Sequence, residues 1–202
     1  AKAVMARYSA NGTIISSQYR VLLALGEDDP NLQTMDLAKM LVNAPRVGKV
    51  DIIIRREHPQ LEEIKAMVET HKELMTLALE PAEIANRIIR CHFALTSGSG
   101  WSLELACVGV PQLLLLQNDA HWPNAQRLED EGAATVLGWH ANVSPQTIRQ
   151  GVQNLIADAL DRKSMARCGR KLIDGRGPDR LVNAMEIMLS PNYREEVLPI
   201  AA

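Results

Sequence analysis

The chain has 202 residues, and its 22 Lys and Arg against 24 Asp and Glu give a formal net charge of −2. The charges are mixed along the chain without a basic run, which argues against a nucleic-acid partner. Hydrophobic residues make up 47% and aromatic residues only 3%, so the length and composition suit one domain with an aliphatic core. The longest apolar run, residues 110–116, is far shorter than the roughly 20 residues of a membrane helix, and no membrane span is expected.

The three cysteines, Cys91, Cys107 and Cys168, are odd in number and widely separated. They form no CxxC or Cys/His metal spacing and indicate no disulfide framework. A reducing cytoplasm is the compartment that this pattern favours. No cluster of His and carboxylates has ligand spacing, so we expect neither a metal site nor a cofactor.

Short apolar runs alternate with segments of helical periodicity through the first half of the chain. The predicted strands there are residues 20–25, 50–54, 74–79 and 92–96. The predicted helices between them are residues 32–43, 61–68 and 82–89, the last with Pro81 in its first turn.

The alternation continues with a helix from residue 100 to 108 and ends with strands at residues 112–116 and 133–137 around a helix at 123–130. The rest of the chain has helical patterns only, at residues 144–160, 162–173 and 179–189. Ser144 before Pro145 is typical of a helix N-cap.

Six strand–helix units predict an α/β fold, a Rossmann-like parallel six-stranded sheet with helices on both faces and a helical C-terminus. The apolar run LLLL at residues 113–116 supports this, because strands covered on both faces are continuously apolar. The predicted domain is residues 20–190, preceded by a connecting arm at 1–19 and followed by a tail at 191–202.

Ligands of open parallel sheets bind beyond the carboxyl ends of the strands, so the loops at residues 26–30, 96–102 and 117–124 are the candidate site. In the second loop, Gly98 and Gly100 allow close backbone approach, and the helix that begins there directs free N–H groups towards an anion such as a diphosphate. Glu104, one turn further, can accept hydrogen bonds from ribose hydroxyls. The alternative is that this loop is only a tight, capped turn. It matches neither a Walker P-loop nor GxGxxG.

Two other features of these loops have more than one interpretation. His121 is the one histidine in a predicted ligand loop, where it binds a phosphate or a sugar hydroxyl or merely caps the helix before Pro123. The Asp28-Asp29 pair has the oxygens for Mg²⁺, but capping the helix after Pro30 is its ordinary role. Each of the three tryptophans follows a strand, where it lines a base pocket or a cleft or packs under a loop.

Four segments in order resemble the C-terminal domain of GT-B nucleotide-sugar enzymes. They are VLLALGEDDP at 21–30, ALTSGSGWSLELACVGVP at 94–111, PNAQRLEDEGAATVLG at 123–138 and KLIDGRGPDRLVNAM at 171–185. The resemblance is greatest to the UDP-sugar hydrolases of the pseudaminic-acid pathway and to spore-coat polysaccharide biosynthesis proteins. The SGSGWSLE stretch is also similar to the loop of the lipid-II-forming N-acetylglucosaminyltransferase.

The resemblance implies a domain that binds UDP or a UDP-sugar without a metal. The diphosphate would contact the loop at residues 98–100, the ribose would contact Glu104, the uracil would lie near residues 77–81, and Asn124 would help to hold the loop. The expected nucleotide-binding residues are Ser97, Gly98, Ser99, Gly100, Ser102, Glu104, Gly26 and Asn124. Asn118 and His121 are weaker candidates for catalysis.

Three departures from the family pattern affect the expected chemistry. Glu27 and Asp28 replace small residues of the first loop, where a carboxylate repels a diphosphate unless it turns away. Ala120-His121 stands where the family has Asn-Gln, and the asparagine of that pair is implicated in hydrolysis. The family's N-terminal domain, with its Gly-x-Gly-His loop, has no counterpart in this sequence, so the general base is expected outside it.

Two functions follow from these patterns. The first is the UDP-sugar-binding domain of a hydrolase or glycosyltransferase of surface polysaccharide biosynthesis, of the nonulosonic-acid type. The second is a diverged, non-catalytic GT-B-like domain that acts in dimerisation or regulation, an interpretation favoured by Glu27, Ala120 and Trp101. A homodimer would also cover an exposed apolar face.

Overall fold

The computed structural model of the chain describes residues 18–26 and 29–189. Gln18 and Tyr19 are therefore the described part of the predicted arm, and the predicted tail at 191–202 lies outside the described residues. The strands are β1 (Tyr19–Ala24), β2 (Val47–Ile53), β3 (Met75–Ala78), β4 (Phe93–Thr96), β5 (Gln112–Leu116) and β6 (Thr135–Trp139).

The helices alternate with these strands and then continue alone. They are α1 (Thr34–Val42), α2 (Leu61–Thr70), α3 (Pro81–Ile88), α4 (Gly100–Val108), α5 (Trp122–Asp130), α6 (Pro145–Ala157), α7 (Ala159–Leu172) and α8 (Gly177–Leu189), with a 3₁₀ turn (Asp119–His121) before α5. Within the described residues, no helix is long and apolar enough to cross a membrane.

The six strands form one parallel sheet in the order β3-β2-β1-β4-β5-β6. This is the doubly wound arrangement, and it confirms the predicted Rossmann-like fold. Strand order reverses between β1 and β4, where Ala24 pairs with Thr96. The loops after β1 and β4 therefore lie side by side at the carboxyl edge of the sheet.

Both faces of the sheet are covered, as the aliphatic composition requires. One face of β1, with Val21 and Leu23, packs in a core cluster that includes α1, α2 and α6. The opposite face, with Leu22 and Ala24, packs against α3 and α4, and Leu114 of β5 packs with residues of α5. Alternate side chains of each strand thus enter different cores, which explains the continuously apolar strand sequences.

Boundary differences from the sequence predictions have local causes. Strand β6 begins at Thr135, two residues later than predicted, because the Ala133 N–H bonds to the Leu128 carbonyl at 2.7 Å in the turn after α5. The helix predicted at residues 144–160 ends at Ala157. Asp158 interrupts it because its side chain accepts hydrogen bonds from the N–H groups of Leu160 and Asp161 and caps α7 instead.

Helix α7 packs very closely on α4. A Cβ atom added at Gly169 would lie 2.8 Å from the Ala106 carbonyl oxygen, so only glycine allows the two backbones to approach in this way. In the turn between α7 and α8, Arg180 makes a forked hydrogen bond to Asp174 and holds the pKa of that carboxyl at about 2. Helix α8 follows this turn, and its side chains are exposed.

A buried arginine joins α7 to the first strand and to α6. The guanidinium of Arg162 donates hydrogen bonds to the carbonyl oxygens of Leu155 and Ile156 at the end of α6, and to the Tyr19 hydroxyl at 3.2 Å. Arg162 is 1% exposed and lies 5.0 Å from the centre of the Tyr19 ring. It satisfies carbonyl groups that the end of a helix leaves without backbone partners.

Replacement of this arginine is expected to destabilise the domain. Arg162→Met leaves the α6 carbonyls and the Tyr19 hydroxyl without their donors, a loss of about 2–4 kcal/mol, or a melting temperature lower by roughly 5–12 °C. Thermal unfolding followed by circular dichroism measures the change in melting temperature. The matched control is Arg149→Met, at an exposed position of α6. Equal melting temperatures for the two variants would contradict this role.

Candidate functional site

The candidate site lies where the strand order reverses. A Cβ atom at Gly26, just after β1, would lie 3.4 Å from Ser97 Oγ, just after β4, and 3.8 Å from His121 Cε1, after β5. Three loops from three adjacent strands thus meet around one residue without a side chain. Gly26 has φ +117°, a conformation that favours glycine.

The carboxylate of Asp29 points away from this meeting point. Its two oxygens accept hydrogen bonds from the N–H groups of Gln33 at 3.1 Å and Thr34 at 2.8 Å, and one lies 3.5 Å from His58 Nε2. Asp29 therefore caps α1, the ordinary role considered for it. Glu27 and Asp28 lie outside the described residues.

The loop after β4 is held against α5. Gly98 has φ +77°, and a Cβ atom there would lie 3.0 Å from the His121 carbonyl oxygen, so a side chain would separate loop and helix. The side-chain amide of Asn124 donates to the Gly98 carbonyl oxygen at 3.4 Å. Gly98 and Asn124 thus position the loop.

The residues that begin α4 differ in what they face. Ser102 is buried, and its hydroxyl donates to the Ser99 carbonyl oxygen at 2.6 Å, so it stabilises the turn and does not line a cavity. Ser99 makes no side-chain cap hydrogen bond. Gly100 is exposed, and a Cβ atom there would meet nothing within 4 Å, so the fold does not require a glycine at this position.

A polar cavity of about 450 Å³ opens at the N-terminus of α4. It is lined by Leu25, Gly26, Pro30, Ser99, Gly100, Asn118, Ala120, His121 and Asn124. Ser97 Oγ, Ser99 Oγ and His121 Nδ1 are buried without a hydrogen-bond partner. Ser99 and His121 line this cavity, and Ser97 lies beside Gly26, which also lines it. Buried polar groups normally have partners, so these unpartnered groups make the cavity a candidate site for a polar ligand.

His121 and Asn118, the two weaker catalytic candidates, lie next to each other on this cavity. Asn118 Nδ2 is 3.5 Å from His121 Nε2. Burial lowers the pKa of His121, while the adjacent Ser97 backbone favours the protonated ring and acts in the opposite direction. The imidazole is therefore neutral near pH 7 before a ligand binds.

A second, largely apolar cavity of about 690 Å³ adjoins the first, and Gly26 lines both. Glu104 lines it from α4, and burial raises the pKa of its carboxyl. Leu79 and Pro81, beside the carboxyl end of β3, also line it. The structure thus places Glu104 and Ser99 in neighbouring cavities that share Gly26 as a lining residue, not in a single pocket.

Sequence reasoning missed several residues of the apolar cavity. Ile173 and Gly175, from the turn between α7 and α8, line it from a part of the chain with no strand before it. Arg55 also lines it. Arg55 follows the apolar strand β2, so the rule that site residues lie in the loops after strands could have identified it.

The three tryptophans have different environments. Trp101 lines the apolar cavity. Trp122 and Trp139 stack on each other, with ring centroids 6.3 Å apart, and line neither cavity. Although all three tryptophans follow a strand, Trp101 lines a cavity, whereas Trp122 and Trp139 pack on each other.

The loop after β5 is tied to the loop after β1 by Gln117, which is 5% exposed. Its side-chain amide donates to Gln33 Oε1 at 3.1 Å and its oxygen accepts from Asn31 Nδ2 at 2.8 Å. Gln117 thus joins the start of the loop that carries Asn118 and His121 to the loop after β1. Among the described residues, no group of three or more His, Cys, Asp or Glu side chains has the arrangement of a metal site.

No protein-family model matches the chain. It is similar to the spore coat polysaccharide biosynthesis protein SpsG of Bacillus subtilis, with 24% identity over 182 residues that cover 88% of this chain and 51% of that protein. The chain therefore spans about half the length of this curated relative.

Solved structures share the fold at low sequence identity. MurG of Acinetobacter baumannii superposes with a TM-score of 0.66 and 17% identity, over 85% of this chain and 52% of MurG. A complex of S. aureus MnaA with UDP superposes with a TM-score of 0.66 and 17% identity, over 94% of this chain and 49% of MnaA. The spinosyn rhamnosyltransferase SpnG with thymidine diphosphate superposes with a TM-score of 0.64 and 21% identity, over 87% of this chain and 47% of SpnG. The chain thus has the fold of one Rossmann-like domain of the GT-B glycosyltransferases.

Proposed function

We propose that this chain is the nucleotide-sugar-binding domain of an enzyme that hydrolyses or transfers a UDP-activated sugar in surface polysaccharide biosynthesis. The observation that carries the proposal is a pair of adjoining cavities that share Gly26, one polar and one largely apolar with Glu104 as the acidic side chain of its described lining. A nucleoside diphosphate has the same division into a charged and a largely apolar part.

The diphosphate occupies the polar cavity. There the N-terminus of α4 provides backbone N–H groups and the positive end of the helix dipole. The hydroxyls of Ser97 and Ser99, which have no partner in the protein, donate to phosphate oxygens. Gly100 allows the diphosphate to approach the backbone, because no side chain covers the helix end.

The nucleoside occupies the apolar cavity. The Glu104 carboxylate accepts hydrogen bonds from the ribose hydroxyls, and the uracil packs near Leu79 and Pro81. Burial raises the pKa of Glu104, and hydroxyl donors bound to its carboxylate would stabilise the charged form. No metal or cofactor takes part in this arrangement.

The chemical role of such a domain is to stabilise the departing UDP. Donors that are already oriented towards the leaving diphosphate lower the barrier to cleavage of the sugar–phosphate bond. The general base that activates water or an acceptor belongs to a domain outside this sequence. The names of the similar proteins support this proposal, since two structures contain UDP or thymidine diphosphate and SpsG acts in polysaccharide biosynthesis.

The finer assignment is a hydrolase or transferase of nonulosonic-acid-type biosynthesis in the cytoplasm, with residues 20–190 as the binding domain. The resemblance to the pseudaminic-acid pathway enzymes supports the pathway. The free thiols of Cys91, Cys107 and Cys168 fit a reducing compartment.

A second candidate is a diverged domain that no longer binds nucleotide and acts in dimerisation or regulation. The observation that favours it is Ala120, which lines the polar cavity without a polar side chain where the resembling enzymes have a side-chain amide. Nucleotide binding distinguishes the two candidates directly.

Calorimetric titration with UDP, UMP and NAD is the primary test. We expect binding of UDP, weaker binding of UMP and none of NAD, because the polar cavity recognises a diphosphate and the apolar cavity accepts one nucleoside. Absence of heat and of thermal stabilisation by UDP at millimolar concentration would favour the diverged domain.

Gly100→Ala is expected to change UDP affinity without lowering the stability of the fold. The new methyl group meets no protein atom within 4 Å, so the melting temperature should be unchanged or slightly raised. UDP affinity should fall at least about five-fold, because the methyl group covers the helix end. The matched control is Gly177→Ala, at the first residue of α8 and also open. Unchanged UDP affinity in Gly100→Ala would remove this helix end from the site.

Glu104→Ala is expected to weaken UDP binding several-fold without unfolding the domain. The variant removes the acceptor for the ribose hydroxyls, a loss of roughly 1–2 kcal/mol. Isothermal calorimetry measures the change, with Glu63→Ala on the exposed face of α2 as the control. Wild-type affinity in Glu104→Ala would show that the ribose lies elsewhere.

A further inference from the structure

His121 has an unusual position at the junction of the site. Its Cε1 edge, which carries a ring nitrogen on each side, points towards Gly26, where both cavities meet. Nδ1 is buried without a partner, and Nε2 faces the Asn118 amide at 3.5 Å. The ring therefore presents its polar edge to the polar cavity, beside two serine hydroxyls that also lack partners.

The described lining of the polar cavity contains no Lys or Arg. A diphosphate brought there meets hydroxyls, amides and a helix end, which are dipoles and carry no full positive charge. Burial of an anion without a counter-charge is costly. His121 is the lining side chain that can gain a positive charge in the physiological pH range.

The other titratable groups around His121 do not supply this charge. Asp119, in the same 3₁₀ turn, is exposed, and Asp29 is turned towards His58. On α5, Arg127 is paired with Glu131, and Glu104 of α4 and Arg55 after β2 line the apolar cavity, not the polar one. Glu27 and Asp28, which follow Gly26 in the sequence, are acidic and lie outside the described residues.

We propose that His121 binds the diphosphate as an imidazolium, so that nucleotide binding takes up one proton. This inference rests on the proposed function and adds a specific counter-ion to it. Nδ1–H of His121 donates to a phosphate oxygen of the ligand. The proton taken up from solvent binds to Nε2, and the resulting Nε2–H donates to the side-chain oxygen of Asn118, whose amide turns to accept it.

The direction of the pH dependence follows from linkage. Before binding, burial lowers the pKa of His121 and outweighs the opposing effect of the Ser97 backbone, so that the neutral imidazole is favoured. Bound phosphate raises that pKa, so affinity is greatest at low pH and is lost as the pH rises through the bound-state pKa. The proton is taken up between the free-state and bound-state pKa values.

Calorimetry of UDP binding in two buffers of different ionisation enthalpy tests the inference directly. The difference in heat gives the number of protons taken up, and this measurement needs only the wild-type chain. It is repeated from about pH 6.5 to 8.5, with His121→Gln as the uncharged variant of similar size and His71→Gln as the control. His71 lies beyond the end of α2, at the opposite edge of the sheet.

We expect proton uptake by the wild type and by His71→Gln, and markedly less by His121→Gln. Between about pH 8.5 and 6.5 the wild type should gain at least about five-fold in UDP affinity relative to His121→Gln. The titrations of UDP itself and of Glu104 occur in all the proteins and cancel in this comparison.

The outcomes separate the inference from the proposed function. UDP binding without proton uptake, or with the same uptake in His121→Gln, would overturn the role of His121 and leave the nucleotide site intact. Failure of the wild type to bind UDP at any pH would overturn both. Proton uptake that persists in His71→Gln and disappears in His121→Gln supports both.

Discussion

The pairing of β1 with β4, where strand order reverses, is the constraint on which the site depends. Parallel strands in register place their carboxyl ends together, and Ala24 opposite Thr96 leaves Gly26 beside Ser97. The crossovers on the two sides of this point leave the sheet on opposite faces, so the loops separate and a crevice opens between them. Both cavities lie in that crevice.

Charge in the crevice is arranged through dipoles and orientation. Asp29 caps α1 with both carboxylate oxygens and so directs its charge away from the cavity. Ser99 leaves its hydroxyl free at the start of α4. The result is a cavity bordered by a helix N-terminus and hydroxyl groups, and within its described lining His121 is the titratable side chain, with a pKa that burial lowers.

Tight packing away from the crevice supports this geometry. Gly169 allows α7 to approach α4 closely, and the turn after α7 then carries Ile173 and Gly175 to the wall of the apolar cavity. Arg162 anchors the same helix to α6 and to Tyr19. The helical C-terminal region is thus part of the site wall as well as of the core.

The amino-acid sequence by itself determined the strand–helix order, the parallel sheet and the three loops that meet at the polar cavity, because these follow from hydrophobic periodicity and from the rule for carboxyl edges. Only the tertiary structure decided which residues of those loops line a cavity. Ser99 and Ser102 look equivalent in sequence, yet one hydroxyl is unpartnered and the other bonds to a carbonyl. Trp101 lines a cavity while Trp122 stacks on Trp139. The reason is physical: side-chain direction depends on helix phase and on long-range neighbours, which local sequence does not specify.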